Sequence, residues 1–212
     1  MCYELLPTDR PLRQGDIFFP LPHPKLSLDK LEILSETAGS RAAKWIEIAD
    51  KEKILSTVEL EKSWGIVATQ DCDSSRVPLI SLFQLDPFET INKTPPKTPK
   101  TWVETLTERV CKNASWFYLP RDERLGINDR MIVNFHKVFQ ISRLDLINNI
   151  ELRKGRLITV AYEHYRESIA QYYRRYPYNE WYPFDKAELE AYAQSKKCSV
   201  SELMPKYPMN EK

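Results

Sequence analysis

Apolar residues along this chain gather in short runs separated by polar, proline-bearing breaks, a pattern of strands more than of long helices. Gln14-Gly15-Asp16-Ile17-Phe18-Phe19-Pro20 predicts a turn feeding a short strand that proline stops, with Leu21 to Pro24 as a loop. Lys44 to Ile48 and Ile54 to Leu60 predict two further strands. Trp64-Gly65-Ile66-Val67-Ala68-Thr69 is a continuous apolar run and suits a central strand buried on both faces. Pro78 to Leu85, Ser115 to Pro120 and Met131 to Ile141 complete the β set.

Three segments read as helical. Trp102, Leu106 and Val110 share one face of a helix over 102–112. Arg156 to Tyr176 predicts a long helix with Ala161, Tyr165, Ile169, Tyr172 and Tyr176 turned to the core, and Tyr178 to Phe184 an aromatic tail. Asp185 to Ser195 is the last helix, with Asp185 as N-cap and Glu188 in capping-box position. The Pro/Lys-rich stretch at 93–101 is the clearest break: it reads as a solvated linker or as a proline-rich ligand for a partner. The chain thus divides into a β-rich core over 1–142 and a helical Tyr/Arg-rich extension over 143–212 packed on it.

Charge changes the functional picture more than length does. Lys and Arg number 31 against 30 Asp and Glu, a formal charge of +1, so any hold on nucleic acid has to come from a local patch. No apolar stretch approaches the roughly 20 residues of a membrane span, and the opening Met1 to Pro7 lacks the basic head and apolar centre of a signal peptide. Cys2, Cys72, Cys111 and Cys198 are too scattered for a zinc site or a disulfide framework, so reduced thiols in a cytoplasm are expected. Five glycines, with no two close together, exclude a phosphate-cradling loop, and no cofactor is expected.

Two constellations carry candidate chemistry. Gln70-Asp71-Cys72-Asp73-Ser74-Ser75 follows the buried run, where a rigid strand end holds polar groups at a surface. Its residues read as a binding turn, as catalytic candidates (Asp71, Cys72 and Asp73), or as an Asx-turn with Cys72 packed as a small hydrophobe. The two aspartates disfavour the thiolate a cysteine nucleophile needs. Two carboxylates are also a thin set for Mg²⁺, so no metal is expected. The second is the basic-aromatic stretch: Arg153, Lys154, Arg156, Arg166, Tyr172, Tyr173, Arg174, Arg175 and Trp181. With Arg166, Arg174 and Arg175 turned outward and Arg153, Lys154 and Arg156 just upstream, it reads as a solvated face, a protein interface or a nucleic-acid contact. His23, His136 and His164 are isolated and match no zinc-hydrolase spacing.

Arg13-Gln14-Gly15-Asp16-Ile17-Phe18 resembles the first strand of PemK/MazF-type proteins, small SH3-like barrels of prokaryotic toxin–antitoxin and defence systems, and Gly65-Ile66-Val67-Ala68-Thr69 resembles a later strand of that barrel. The likeness covers about the first two fifths of the chain. It implies an α+β fold: an SH3-like barrel core with an inserted helix and C-terminal helices. In ribonuclease members an Arg-Pro pair opens the second strand, where Trp64-Gly65 stands here. The resemblance therefore implies the fold more than the activity, unless Arg13 or Arg76 supplies the cation in space. The function expected is a non-catalytic binding or regulatory module of a prokaryotic defence or toxin–antitoxin-like system, recognising a partner protein through the aromatic C-terminal region, with the Asp71-Cys72-Asp73 turn shaping a nearby pocket. The alternatives are a MazF-like endoribonuclease using Asp71, Asp73 and Arg13 or Arg76, and a nucleic-acid-binding accessory using Arg153 to Arg175.

Overall fold

A computed structural model of the chain describes residues 2–25, 32–35, 39–42, 44, 46, 55–90, 115–174 and 186–199. They form two compact units, 1–172 and 173–212. In chain order the elements are β1 (Tyr3–Glu4), β2 (Asp16–Lys25), β3 (Glu32–Ser35), β4 (Gly39–Ala42), β5 (Ser56–Thr57), β6 (Glu59–Val67), helix α1 (Asp71–Ser74), β7 (Leu79–Pro87), β8 (Trp116–Leu119), β9 (Met131–Ser142), α2 (Arg143–Asn148), β10 (Arg153–Leu157), α3 (Thr159–Tyr173) and α4 (Lys186–Lys196). Helix α4 belongs to the second unit and lies where the capping signal predicts a last helix.

Seven strands make one antiparallel sheet in the order β1-β10-β2-β6-β7-β9-β8, and β4-β3-β5 make a small second sheet. The fold is α+β with few helices. The closed barrel implied by the resemblance is not what the described strands form, because β1 and β8 stand at opposite edges without a ladder between them. The edges approach through a side chain instead: the Tyr3 hydroxyl donates to the Pro120 carbonyl at 2.6 Å.

Each face of the sheet carries its own apolar cluster, where a small closed barrel has a single interior. Ile17, Ile66, Phe83, Leu85, Val133 and Phe135 lie on one face under Tyr165 of α3. Phe18, Leu21, Val67, Ile80, Leu82 and Phe139 lie on the other, under Leu12 and Leu146 of α2. Ile66 and Val67 are fully buried on opposite faces, so the apolar run is the central strand its composition predicts. Tyr165 is fully buried and its hydroxyl donates to the Val67 carbonyl at 3.2 Å, which removes the penalty of burying a phenol.

Two elements depart from expectation. Strand β2 continues through Pro20, Pro22 and Pro24, the stretch read as a stop and a loop. Beyond Phe18 its described partner is β6 alone, since β10 pairs only with Asp16 to Phe18. Prolines at every second position put their missing N–H groups on one edge, and that strand edge needs no donors. Arg156, predicted as the start of a helix, lies instead in β10 between β1 and β2. Helix α3 then begins at Thr159 and does turn Ala161, Tyr165, Ile169 and Tyr172 to the core, joined by Tyr162. Ile46, expected in a strand, is helical. The predicted stretches at 93–101 and 102–112, the aromatic tail, Arg175, Tyr176, Trp181 and the Asp185 cap lie outside the described residues.

Gly155 marks where β10 is pressed between its neighbours. A Cβ there would sit 2.8 Å from the Glu4 carbonyl oxygen of β1 and 2.7 Å from Leu125 Cδ2. At Gly65 of β6 the closest atoms, Leu21 Cδ1 at 2.8 Å and Phe139 Cζ at 3.0 Å, belong to side chains that can yield. Gly155→Ala is therefore expected to lower stability by about 1–3 kcal/mol, and by more than Gly65→Ala. Urea midpoints of the two variants check this, and the reverse order would contradict the packing.

Candidate functional site

Asp16 opens β2 and is fully buried, and its carboxylate organises the chain before it. Its Oδ2 accepts from the Arg13 amide at 2.9 Å while its own amide donates to the Arg13 carbonyl at 3.2 Å, closing a turn over 13–16. Gly15 takes a positive φ of 85° within that turn, a conformation open to glycine at little cost. Two arginines hold the carboxylate from below. Arg156 Nε donates to Oδ1 at 2.5 Å and Nη2 to Oδ2 at 3.0 Å, and Arg153 Nη1 donates to Oδ2 at 3.2 Å. Their remaining donors reach the Pro7, Arg10 and Pro11 carbonyls, so one ion cluster ties the irregular N-terminal segment to the sheet. Buried charges persist only when paired and fully hydrogen-bonded, and these are.

The turn faces the end of β6. There the chain leaves the sheet at Thr69, whose hydroxyl accepts from the Ser81 amide at 2.8 Å, and makes the single helical turn α1. This replaces the predicted Asx-turn: the Asp73 and Ser74 amides bond back to the Gln70 carbonyl. The Asp71 side chain is thereby free to reach across. Its Oδ1 accepts the Gln14 amide at 2.8 Å. Its Oδ2 accepts Arg13 Nε at 3.0 Å, Arg13 Nη2 at 2.6 Å and the Tyr162 hydroxyl at 3.1 Å. Gln14 braces the corner by donating Nε2 to the Ala68 carbonyl at 2.8 Å. Gly15 lets the Tyr162 ring come close, with Cδ2 3.3 Å from where a Cβ would stand.

Electrostatics at this corner follow from those contacts. Burial pushes the Asp71 carboxyl up, but the Arg13, Gln14 and Tyr162 hydrogen bonds and the Arg13 charge outweigh it and hold the group below the usual aspartate range. Burial and the neighbouring Asp71 charge push the Tyr162 phenol up, so it stays a donor. The hydrogen bond to Asp71 raises Arg13 further. A carboxylate with both oxygens engaged and a lowered pKa is a weak proton acceptor. The guanidinium, about half exposed, spends Nε and Nη2 on Asp71, and among the described residues its Nη1 has no partner.

The other predicted residues fall in different places. Gln70 is exposed beside the corner. Cys72 is exposed too, with Sγ 3.8 Å from Gln70 Oε1, and is not the packed small hydrophobe expected. Asp73 and Arg76 form a surface pair at 3.3 Å, and Arg76 Nε folds back on the Cys72 carbonyl. Arg153 and Arg156, expected just upstream of an outward-facing basic patch, are buried against Asp16, because β10 runs inside the sheet. Lys154 is half-buried, while Arg166, Tyr173 and Arg174 are exposed. Arg166 lies 5.4 Å from the Tyr162 ring centroid and 3.4 Å from Glu163. Tyr172 packs on the core and its hydroxyl sits 3.2 Å from His136 Nδ1. Cys2 is half-buried, and burial pushes its thiol up to about 11. Among the described residues no three His, Cys, Asp or Glu side chains converge as a metal-ligand set.

The roles of Gln14 and Tyr162 at the corner were not assigned from the sequence. Tyr162 lies three residues before Tyr165 on the helix, a spacing that marks one stripe. Nothing local distinguishes Gln14.

Asp71 titrates lower in the folded chain than unfolded, so its stabilisation is complete above the ordinary aspartate pKa of about 4 and is lost as the pH falls through its lowered folded value. Asp71→Asn is expected to flatten part of the fall in urea midpoint between roughly pH 5 and pH 2. An identical acid slope in both proteins would contradict the contacts drawn here. Comparison with family models, with curated proteins and with solved structures finds no match to this chain.

Proposed function

We propose that the chain is a non-catalytic binding or regulatory module that recognises a partner protein, with the Arg13–Asp71–Tyr162 corner as part of its recognition surface. The observation that carries this reading is the state of Asp71: three residues donate to its two oxygens, and its pKa is lowered where a general base needs one raised. Arg13 and the Tyr162 phenol are the residue types that anchor protein interfaces, and they are locked in place before any partner arrives. The likeness of Arg13 to Phe18 to PemK/MazF-type barrels supports a prokaryotic defence or toxin–antitoxin setting. An antiparallel sheet whose edge segments are linked by the Tyr3 to Pro120 hydrogen bond is compatible with an opened relative of that barrel.

One observation favours a MazF-like endoribonuclease as the second reading. Arg13 and Asp71, both candidates for the chemistry, are in direct contact at the surface, 2.6 Å apart at their closest. An arginine of this kind could take the cation role that the missing Arg-Pro pair leaves open. The nucleic-acid accessory reading is weaker, since Arg153 and Arg156 are spent on Asp16.

Co-purification from the native host with wild-type and Arg13→Ala baits tests the leading reading. The wild type is expected to return a stoichiometric partner, and the variant to lose it or hold it about tenfold or more weakly, the cost of truncating an arginine anchor. Arg76→Ala, which removes an exposed pair with Asp73 and a bond to the Cys72 carbonyl, is expected to change little. A long RNA incubated with the wild-type protein, with and without Mg²⁺, is expected to stay intact. Cleavage that Arg13→Ala abolishes would replace the binding reading with the nuclease.

A further inference from the structure

A second site lies along the middle of β6, apart from the Asp71 corner. It is a cleft of about 420 Å³, lined in part by Phe19, Trp64, Gln84, Asp86, Asp129 and Met131. We infer that this cleft receives an arginine side chain of a partner protein. The inference takes the source of the arginine from the partner reading above, and the chemistry from the cleft alone.

The cleft combines an aromatic pair, an apolar floor and an oriented polar rim. Phe19 and Trp64 stack with centroids 4.4 Å apart and planes within 15°, and both remain partly exposed. Leu85, Ile127 and Met131 are buried and supply apolar lining for an aliphatic stem. Asp86 is buried and saturated: Gln84 Nε2, Asn134 Nδ2 and Lys137 Nζ each donate to it at 3.0 Å. Its effect is on Gln84, because donation from Nε2 fixes the amide and leaves Oε1 as the acceptor. Asp129, on the exposed loop after Ile127, has no ion pair or hydrogen bond among the described residues.

Those features select among ligands. Among the described residues the lining sets Lys62 against Asp129, with Asp86 already paired to Lys137, so no surplus positive charge is present for a phosphate-bearing group. A neutral ring gains nothing from Asp129. A lysine ammonium is strongly hydrated and meets an aromatic pair less well than a planar, weakly hydrated guanidinium does. Arginine uses all three parts: stem on the apolar floor, plane against the aromatic pair, N–H groups to Asp129 and Gln84 Oε1. Lys62 is exposed on a flexible stem and can leave the cleft for solvent.

The test is titration of the full chain with N-acetyl-arginine N-methylamide, followed by amide chemical shifts. The controls are the blocked citrulline counterpart, the blocked lysine and free arginine. Blocked arginine is expected to bind in roughly the millimolar range and shift Gly126 to Asp129 and Trp64. Citrulline is expected to bind at least about tenfold more weakly and lysine to fall between. Trp64→Leu removes the platform but touches the core, so Asp129→Asn on its exposed loop carries the decision. It is expected to weaken blocked arginine about three- to tenfold with an unchanged melting temperature. Equal binding of citrulline, an Asp129→Asn affinity equal to wild type, or binding of free arginine without the blocked form would overturn the inference. The probe requires no native partner, so this result is separable from the fate of the Arg13 bait.

Discussion

The carboxylate of Asp16 is the constraint on which the rest depends. It is buried between Arg153 and Arg156, whose surplus donors take up carbonyls of the segment from Pro7 to Pro11. Its Oδ2 also accepts the Arg13 amide, so the cluster that fastens the N-terminus to the sheet also shapes the turn that carries Arg13 and Gln14. Loss of one partner would strand a charge in the interior, a larger penalty than the net worth of the pair. Such a cluster adds little to net stability over well-packed apolar residues; what it supplies is a fixed position for the turn.

That position matters because β2 and β6 lie side by side, with Ile17 paired to Ile66. The turn before Ile17 and the turn after Val67 therefore emerge at the same end of the sheet. Gln14 N–H and Arg13 meet Asp71 there, and Tyr162 closes the corner from α3. A few residues further along the same strands stand Phe19 and Trp64, stacked on each other in the lining of the cleft. One strand pair thus positions two polar surfaces of different character: an internally neutralised corner and a carboxylate-rimmed aromatic cleft.

Much of the sheet was legible in the sequence, and so was the place of the corner. The apolar run ending at Val67 reads as buried because its composition leaves little alternative; Gln70 to Asp73 follow it out of the sheet, but Asp71 to Asp73 belong to the helical turn α1, which the sequence pattern does not predict. Strands β7, β8 and β9 announce themselves by apolar runs with turn residues at their ends. Strand β10 does not: Arg153 and Lys154 look like a solvated lead into the helix predicted from Arg156. Its arginines are buried only because Asp16, 137 and 140 residues earlier, neutralises them, and no local window contains that partner. The β2 prolines mislead for a related reason. A proline stops a strand with neighbours on both sides, and only the sheet order reveals that, among the described residues, one side has no partner beyond Phe18. The contact between Arg13 and Asp71 was equally hidden, since the two lie 58 residues apart.

If the Asp16 cluster positions the corner, loosening it at a distance must be felt at Asp71, which neither Arg153 nor Arg156 contacts. The direct measurement is the carboxyl titration of Asp71 by NMR in the wild type and in Arg156→Lys, where an ammonium replaces the two-pronged guanidinium contact. The account predicts that the depression of the Asp71 pKa shrinks in the variant, because Arg13 and the Gln14 amide are no longer held against it. An Asp71 titration identical in the two proteins, with the variant folded, would show that the corner assembles without the buried cluster and would contradict the account.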